Sequence, residues 1–127
     1  MYAETDFYLA FLKERDWLKE NALKIYSKYK EDIWTSQITT QELLMYAYRY
    51  KINPITFLDS FYDMADVVDV KLNGDFFLFT VHVMNNYSTT PFDAMHAVVA
   101  SEDGTIISSD SIYDRIGLKR IKLEERS

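Results

Sequence analysis

Residues 90–110, TPFDAMHAVVASEDGTIISSD, contain the start of a helix, the helix itself and a buried strand in one short segment. Thr90-Pro91 predicts the start, because Pro suits the first turn of a helix, where its missing amide hydrogen has no partner to lose. This helix is predicted to run to about Ser101 and to stop before Gly104. The β-branched run Thr105–Ser108 predicts a buried strand. A helix that leads directly into a buried strand indicates an α/β protein.

The same alternation of helix and strand patterns extends over the rest of the chain. Asp75–Asn86 suits a strand by propensity, but the 3-4 spacing of its apolar residues favours a helix. The other predicted helices are Phe7–Arg15, opened by Thr5 or Asp6, the stripe Leu18, Ala22, Ile25 and Tyr29, Thr39–Tyr50 with Leu43, Leu44 and Ala47 inward, Pro54 to about Met64, and the single turn Ile112–Arg115. The other predicted strands are Tyr2-Ala3, Ile33–Ser36, Val67–Leu72 before an Asn73-Gly74 turn, and Arg120–Leu123. Strands separated by helices predict a parallel sheet that is covered on both faces.

Composition limits the class of protein. The chain has 127 residues, of which 48% are hydrophobic, so residues 1–127 are expected to form a single domain with its own core. Cys is absent, which excludes disulfide frameworks and thiolate zinc sites. No apolar run reaches the roughly 18 residues of a transmembrane helix, and no secretory signal is evident. We therefore expect a soluble, cytoplasmic protein.

The charge balance bears on the kind of partner. With 14 Lys and Arg against 20 Asp and Glu, the net charge is -6. This balance speaks against a protein that holds nucleic acid by overall charge, because phosphate neutralisation needs clustered basic side chains. It does not exclude nucleic-acid chemistry, since a carboxylate site for a divalent metal is itself acidic.

Four acidic residues occupy or closely follow the carboxyl ends of predicted strands: Glu4, Glu42, Asp93 and Asp110. They are separated by 38, 51 and 17 residues, so only the fold can bring them together. Ligands of open α/β sheets bind outside the carboxyl ends of the strands. Carboxylate oxygens with open positions for water suit Mg²⁺ or Mn²⁺, and such a site suits metal-assisted phosphodiester hydrolysis.

Helix capping is the alternative interpretation of the same four residues. Thr39 with Glu42, and Thr90 with Asp93, both fit the capping-box pattern. Asp110 fits a cap of the turn that follows it, and Glu4 fits the start of the first helix. Each acid taken singly favours a cap, whereas the location of all four at one predicted edge favours a metal site.

Four segments resemble motifs of the PIN domain family, and most closely those of its VapC-like ribonuclease toxins. They are Glu4-Thr5-Asp6, Thr39-x-x-Glu42-Leu43-Leu44, Phe92-Asp93-Ala94-Met95-His96-Ala97 and Ser108-Ser109-Asp110-Ser111-Ile112-Tyr113. The resemblance implies a three-layer α/β/α sandwich with a central parallel β-sheet, and clustered acids that bind Mg²⁺ or Mn²⁺ to cleave RNA. The family usually has Asp at the position of Glu4 and commonly has Thr at the position of Ser108.

Carried over residue by residue, the resemblance implies the catalytic set Glu4, Glu42, Asp93 and Asp110. Asp93 and Asp110 would bind the metal directly, and Glu4 would complete the inner or water-mediated shell. Glu42 would orient or deprotonate the attacking water. The resemblance also implies a homodimer and an antitoxin protein whose tail covers the acidic groove.

Other residues have two interpretations each. Asp6 fits a helix cap first and an outer-shell role second. His96 fits a packed helix histidine first and a residue beside the site second. The chain has 18 Phe and Tyr and two Trp, more than one core needs, so parts of Trp17–Tyr29 and Met45–Tyr50 are expected at an interface.

Three functions therefore remain open after the sequence is read. The first is a metal-dependent endoribonuclease, the toxin of a toxin–antitoxin pair. The second is a catalytically weak PIN-like binding or assembly module, in which Glu4 blunts the metal site. The third is an unrelated α/β protein whose acidic residues only cap helices.

Overall fold

Five short parallel strands run through the middle of the protein, which a computed structural model describes over residues 1–124. The last three residues of the expected 1–127 domain lie outside the described part. The strands are β1 (Tyr2–Ala3), β2 (Thr35–Ser36), β3 (Val67–Val68), β4 (Thr105–Ser108) and β5 (Lys119–Lys122). The helices are α1 (Thr5–Leu12), α2 (Lys19–Tyr29), α3 (Gln37–Arg49), α4 (Pro54–Met64), α5 (Gly74–Tyr87), α6 (Pro91–Ala100) and α7 (Ile112–Ile116). A short 3-10 turn, Lys30–Asp32, follows α2.

The central position in the sheet belongs to β1. On one side it pairs with β4, which pairs with β5, and on the other side β2 pairs with β3. The two groups of strands are joined where the amide of Ala3 donates to the carbonyl of Trp34 at 2.9 Å. All these pairings are parallel, so the carboxyl ends of the strands share one edge.

Successive strand residues face opposite sides of the sheet, and each side has its own core. Ala3 and Ile107 pack in a cluster with apolar residues of α1 to α4, including Phe61. Tyr2 and Ile106, one residue earlier in each strand, pack in a second cluster with α5, α6 and α7. The alternation is that of a strand, whose side chains point to opposite faces in turn. The helices therefore cover the sheet on both sides, which confirms the predicted α/β/α architecture.

Several element boundaries differ from the predictions. The predicted strand Val67–Leu72 is only two residues long, because Val70 bonds instead to the side-chain amide of Gln37 through both backbone groups. Asn73-Gly74 is not a turn, since the Asn73 side chain accepts the Phe76 amide and caps α5. The helix predicted over Asp75–Asn86 is confirmed.

Leu44 was expected to face inward with Leu43 and Ala47, and this expectation is wrong. Leu43 and Ala47 are four residues apart and both are buried, whereas Leu44 is 43% exposed. Adjacent helix positions point about 100° apart, so one of two neighbouring leucines leaves the core. No helix within residues 1–124 has the length and apolar character that crossing a membrane requires.

Candidate active site

The four predicted acids come from elements that converge on the carboxyl edge of the sheet. Glu4 directly follows β1, and its amide donates to the carbonyl of Ile107 in β4 at 3.3 Å. Asp110 lies two residues beyond β4, and Asp93 lies in the first turn of α6. Glu42 lies in the second turn of α3, the helix that begins directly after β2. In addition to burial, the charge of Glu42 raises the pKa of both Glu4 and Asp93, and the charge of Asp110 raises that of Asp93.

Glu4 has both carboxylate oxygens engaged. Oε1 accepts the amide of Asp6 at 2.8 Å and caps α1, so the prediction that Thr5 or Asp6 caps this helix is wrong. Oε2 accepts the hydroxyl of Tyr113 at 3.1 Å. Burial, reinforced by the charge of Asp6, raises the pKa of Glu4 well above its usual value.

Asp93 is half-buried at the start of α6. The hydroxyl of Thr90 accepts the Asp93 amide at 3.4 Å, which confirms Thr90 as the helix cap. Burial raises the pKa of Asp93; a hydrogen bond with Thr90 opposes this rise, and the charges of Asp110 and Glu42 add to it. The ionised form of Asp93 is therefore disfavoured by its surroundings, which is the opposite of what a simple cap would show.

Glu42 does not belong to a capping box. Ser36 caps α3 by accepting the Ile38 amide at 3.3 Å, so Thr39 lies inside the helix and the predicted box is wrong. The Glu42 carboxylate instead uses Oε1 to accept two hydrogen bonds of 2.5 Å each, from the Thr5 hydroxyl and from His96 Nε2. This carboxylate is held by contacts with α1 and α6, and 27% of its side chain is exposed.

Asp110 makes the contact that was predicted for a helix cap. Its Oδ1 accepts the Ile112 amide at 3.0 Å, which stabilises the start of α7 as a cap would. Its own amide donates to the Ser108 hydroxyl at 2.9 Å, so Ser108 satisfies the end of β4. Together with burial, the charge of Asp110 also raises the pKa of Asp93.

Asp6 has a larger role in the site than the sequence indicated. Its Oδ2 accepts both the amide and the hydroxyl of Ser109, at 2.8 and 2.5 Å, and thereby ties α1 to the segment after β4. Its Oδ1 is buried and has no hydrogen-bond partner within residues 1–124. The position of Asp6 two residues after Glu4, on the turn that starts α1, was the only signal that pointed to this role.

The side chains fit a hard divalent cation by their chemistry. They offer carboxylate oxygens, two of the carboxyl groups have raised pKa values, and one buried oxygen of Asp6 has no hydrogen-bond partner within residues 1–124. Over the described residues, however, no three His, Cys, Asp or Glu side chains are placed so that they could enclose an ion. The carboxylates are engaged with protein donors, so binding an ion requires some of these bonds to be exchanged.

The raised pKa of Glu4 predicts a pH dependence of stability for the metal-free protein. As the pH rises above 4.5, the ordinary pKa of this carboxyl, unfolded chains release the proton while the folded protein retains it. The folded state then binds more protons, so the free energy of unfolding falls as the pH rises. Glu4→Gln removes this term, and its melting temperature relative to the wild type should increase between pH 5 and pH 8 in EDTA.

The matched control for this prediction is Glu20→Gln, on the exposed surface of α2. Its melting temperatures should run parallel to those of the wild type across the same pH range. A Glu4→Gln profile that is also parallel to the wild type would show that Glu4 has no raised pKa.

Comparison with known proteins identifies the family. Residues 1–119 match the PIN domain family, and this chain is therefore a PIN domain protein. PIN domains are generally nucleases, and these nucleases generally use divalent metal ions. No curated protein sequence matches this chain significantly.

Solved structures share the fold at low sequence identity. VapBC2 from Rickettsia felis, bound to a DNA fragment from its promoter, is similar with a TM-score of 0.73 and 14% identity over 95% of this chain and 96% of that one. FitAB bound to the IR36 DNA fragment has a TM-score of 0.75 and 11% identity over 99% and 96% of the two chains. A toxin–antitoxin complex from Klebsiella pneumoniae has a TM-score of 0.63 and 15% identity over 87% and 86%. At these identities the likeness establishes the fold.

Proposed function

We propose that this protein is an endoribonuclease that depends on Mg²⁺ or Mn²⁺ and acts as the VapC-like toxin of a toxin–antitoxin pair. The observation that carries this proposal is the half-buried Asp93, whose pKa is raised by burial and by the charges of Asp110 and Glu42. Repulsion between carboxylates does not help Asp93 to stabilise a helix start, whereas a bound divalent cation relieves it. The fold shared with toxin–antitoxin complexes supports the toxin role.

In the proposed site, Glu4, Asp93 and Asp110 hold the metal and Glu42 orients or deprotonates the attacking water. A bound divalent ion would lower the pKa of a water molecule and offset the charge of the scissile phosphate. These three carboxylates lie directly after β1, in the first turn of α6 and just before α7.

The proposed partners are an RNA substrate, a second copy of the chain and an antitoxin protein. Large apolar side chains are exposed in the segments where an interface was expected, including Trp17, Met45 and Tyr48, the last at 89% exposure. The exposed run Phe77–Phe79 on α5 was not expected. A cavity of about 740 Å³ opens beside Glu42 and is lined by Leu9, Leu44, Met45, Tyr48 and Phe92, among others. The homodimer, the antitoxin, the cytoplasmic location and the single-domain extent over residues 1–127 stay predictions.

The alternative function, a catalytically weak binding or assembly module, is favoured by the state of Glu4. Both of its oxygens are used within the protein, as a helix cap and as an acceptor for Tyr113. A carboxylate committed in this way contributes less to a metal site than a free one. Substrate binding without turnover would then be the remaining activity.

Titration of the wild-type protein with Mn²⁺, followed by thermal melting and by cleavage of a structured RNA pool, separates these functions. For a nuclease we expect saturable stabilisation, about 2.7 kcal/mol at a hundred times the dissociation constant, together with cleavage. Stabilisation without cleavage would favour the binding module. If Mn²⁺ changes neither melting nor RNA, the acidic residues are helix caps and the proposal is wrong.

A further inference from the structure

A chain of hydrogen bonds runs beneath the site through buried side chains. The hydroxyl of Tyr2 lies 2.6 Å from His96 Nδ1, and His96 Nε2 lies 2.5 Å from Oε1 of Glu42. Tyr2 also contacts the hydroxyl of Ser36 at 2.9 Å. His96 is 1% exposed and Tyr2 is fully buried, so this chain is shielded from solvent up to the Glu42 carboxylate. Its members come from β1, β2, α3 and α6.

The chemistry of the groups fixes the direction of each bond. An ionised Glu42 can only accept, so His96 must carry its proton on Nε2. Nδ1 of a neutral imidazole is then an acceptor, and Tyr2 donates to it. The Tyr2 oxygen in turn accepts from Ser36, whose own oxygen accepts the Ile38 amide as the cap of α3. Burial raises the pKa of Tyr2, so the phenol keeps the proton that it donates.

The consequence for Glu42 is that one of its two oxygens is fixed. Oε1 accepts from both His96 and Thr5, whereas Oε2 has no protein partner within residues 1–124. A Glu side chain on a helix surface otherwise samples many rotamers, and fixing one of them costs conformational entropy. Two donors on a single oxygen hold the carboxylate in one orientation before any ligand arrives. The free oxygen is then available to accept a hydrogen bond or a proton from a water molecule.

We propose that His96, held in its Nε2–H tautomer by Tyr2, is the positioning residue that presents Oε2 of Glu42 to the attacking water. This inference rests on the proposed nuclease function, in which Glu42 acts on water. His96 itself touches neither substrate nor metal in this assignment. Its contribution is to orient the Glu42 carboxylate. Side chains that hydrogen-bond to metal ligands orient those ligands in a similar way.

The tautomer of His96 is measured by ¹⁵N–¹H NMR of the imidazole rings in metal-free protein, which requires no cleavage. The chain has two histidines, so the spectrum of a His82→Gln variant assigns His96 directly. We expect a single neutral Nε2–H form in the wild type and a loss of that fixed form in Tyr2→Phe. A wild-type ring that is in the Nδ1–H form, doubly protonated at pH 7, or averaged between tautomers would overturn the proposal.

Cleavage of a structured RNA pool by two matched variants tests the positioning role. His96→Gln keeps a donor near the position of Nε2, whereas His96→Asn keeps a polar group near Nδ1 and does not reach Glu42. We expect His96→Asn to lower kcat by about 10- to 100-fold with KM and Mn²⁺ affinity unchanged. His96→Gln should recover a substantial part of this loss. His82→Asn, on the exposed face of α5, should match the wild type.

The outcomes separate the two proposals. Equal losses in His96→Gln and His96→Asn, or a change in KM alone, would show that His96 only packs the protein. A wild type with the expected tautomer but no cleavage would overturn the nuclease function and, with it, the role of Glu42. A wild type that cleaves RNA with the wrong tautomer would overturn the positioning role and leave the nuclease function standing.

Discussion

Asp93→Asn is expected to abolish Mn²⁺-induced stabilisation and to lower RNA cleavage at least about 100-fold. Replacing groups that only support metal ligands costs 10- to 100-fold, so loss of a ligand should reach or exceed the upper end. The same substitution should leave the metal-free protein as stable as the wild type or more stable. The raised pKa shows that the surroundings disfavour the Asp93 charge, and this outweighs its favourable location at a helix N-terminus. Thr90 remains in place as the cap.

The matched control for this prediction is Asp75→Asn. Asp75 also lies in the first turn of a helix, α5, behind an Asn cap, but it is exposed. Its replacement should cost a few tenths of a kcal/mol from the helix dipole and leave Mn²⁺ binding intact. Urea unfolding in EDTA and calorimetric Mn²⁺ titration measure both quantities. If Asp93→Asn destabilises the metal-free protein clearly while Mn²⁺ affinity is unchanged, Asp93 is only a structural residue and the site hypothesis is wrong.

Phe61→Ala is expected to lower the free energy of unfolding by about 3–5 kcal/mol. Phe61 has no exposed surface, belongs to the core cluster on the α1 to α4 side, and packs edge-on against Tyr8 at 5.0 Å between ring centroids. Small domains have only about 5–15 kcal/mol of total stability, so this loss brings the protein close to unfolding. Equilibrium urea denaturation of the metal-free protein at pH 7 measures the change.

Ile55→Ala on the same helix is the control for Phe61→Ala. Ile55 is 78% exposed near the start of α4, so its truncation should change stability by less than about 0.5 kcal/mol. Both substitutions shorten a side chain of α4 to Ala, and both change the helix propensity only slightly. Equal effects of the two substitutions would show that α4 presents a different face to the core.

The sequence predicted elements whose signals are local. Thr105–Ser108 has the same limits in the structure as in the prediction, and α4 runs from Pro54 to Met64 as expected. The start of α3 was predicted wrongly because two local signals compete there. Ser36 and Thr39 are both good caps at the start of α3, and pairing of Ser36 with β3 places the helix start at the earlier residue. With Thr39 inside the helix, Glu42 is free to reach His96.

For the predicted site, too, local sequence signals were informative and contacts between distant residues could not be predicted. Glu4, Glu42 and Asp110 follow β1, β2 and β4, as the predicted order of elements implied, since parallel strands end at one edge. The prediction that Asp93 also follows a strand is wrong, because α6 comes directly after helix α5.

The partners of the acidic residues did not follow from the order of elements. Tyr113 donates to Glu4 across 109 residues, and Ser109 donates to Asp6 across 103. No periodicity or cap signal spans such distances, so these contacts depend on packing that only the complete fold defines.

The central place of β1 determines when the site can assemble. Tyr2 and Ala3 pair with Ile106 and Ile107 of β4. The centre of the sheet therefore forms only when residues about 100 positions apart come together. This gives the protein a high contact order at its centre, which slows folding. A nascent chain on the ribosome can form α1 to α4 early, but it lacks β4, Asp110 and Tyr113 until their codons have been translated. The four acidic residues therefore cannot come together before Asp110 has been synthesised.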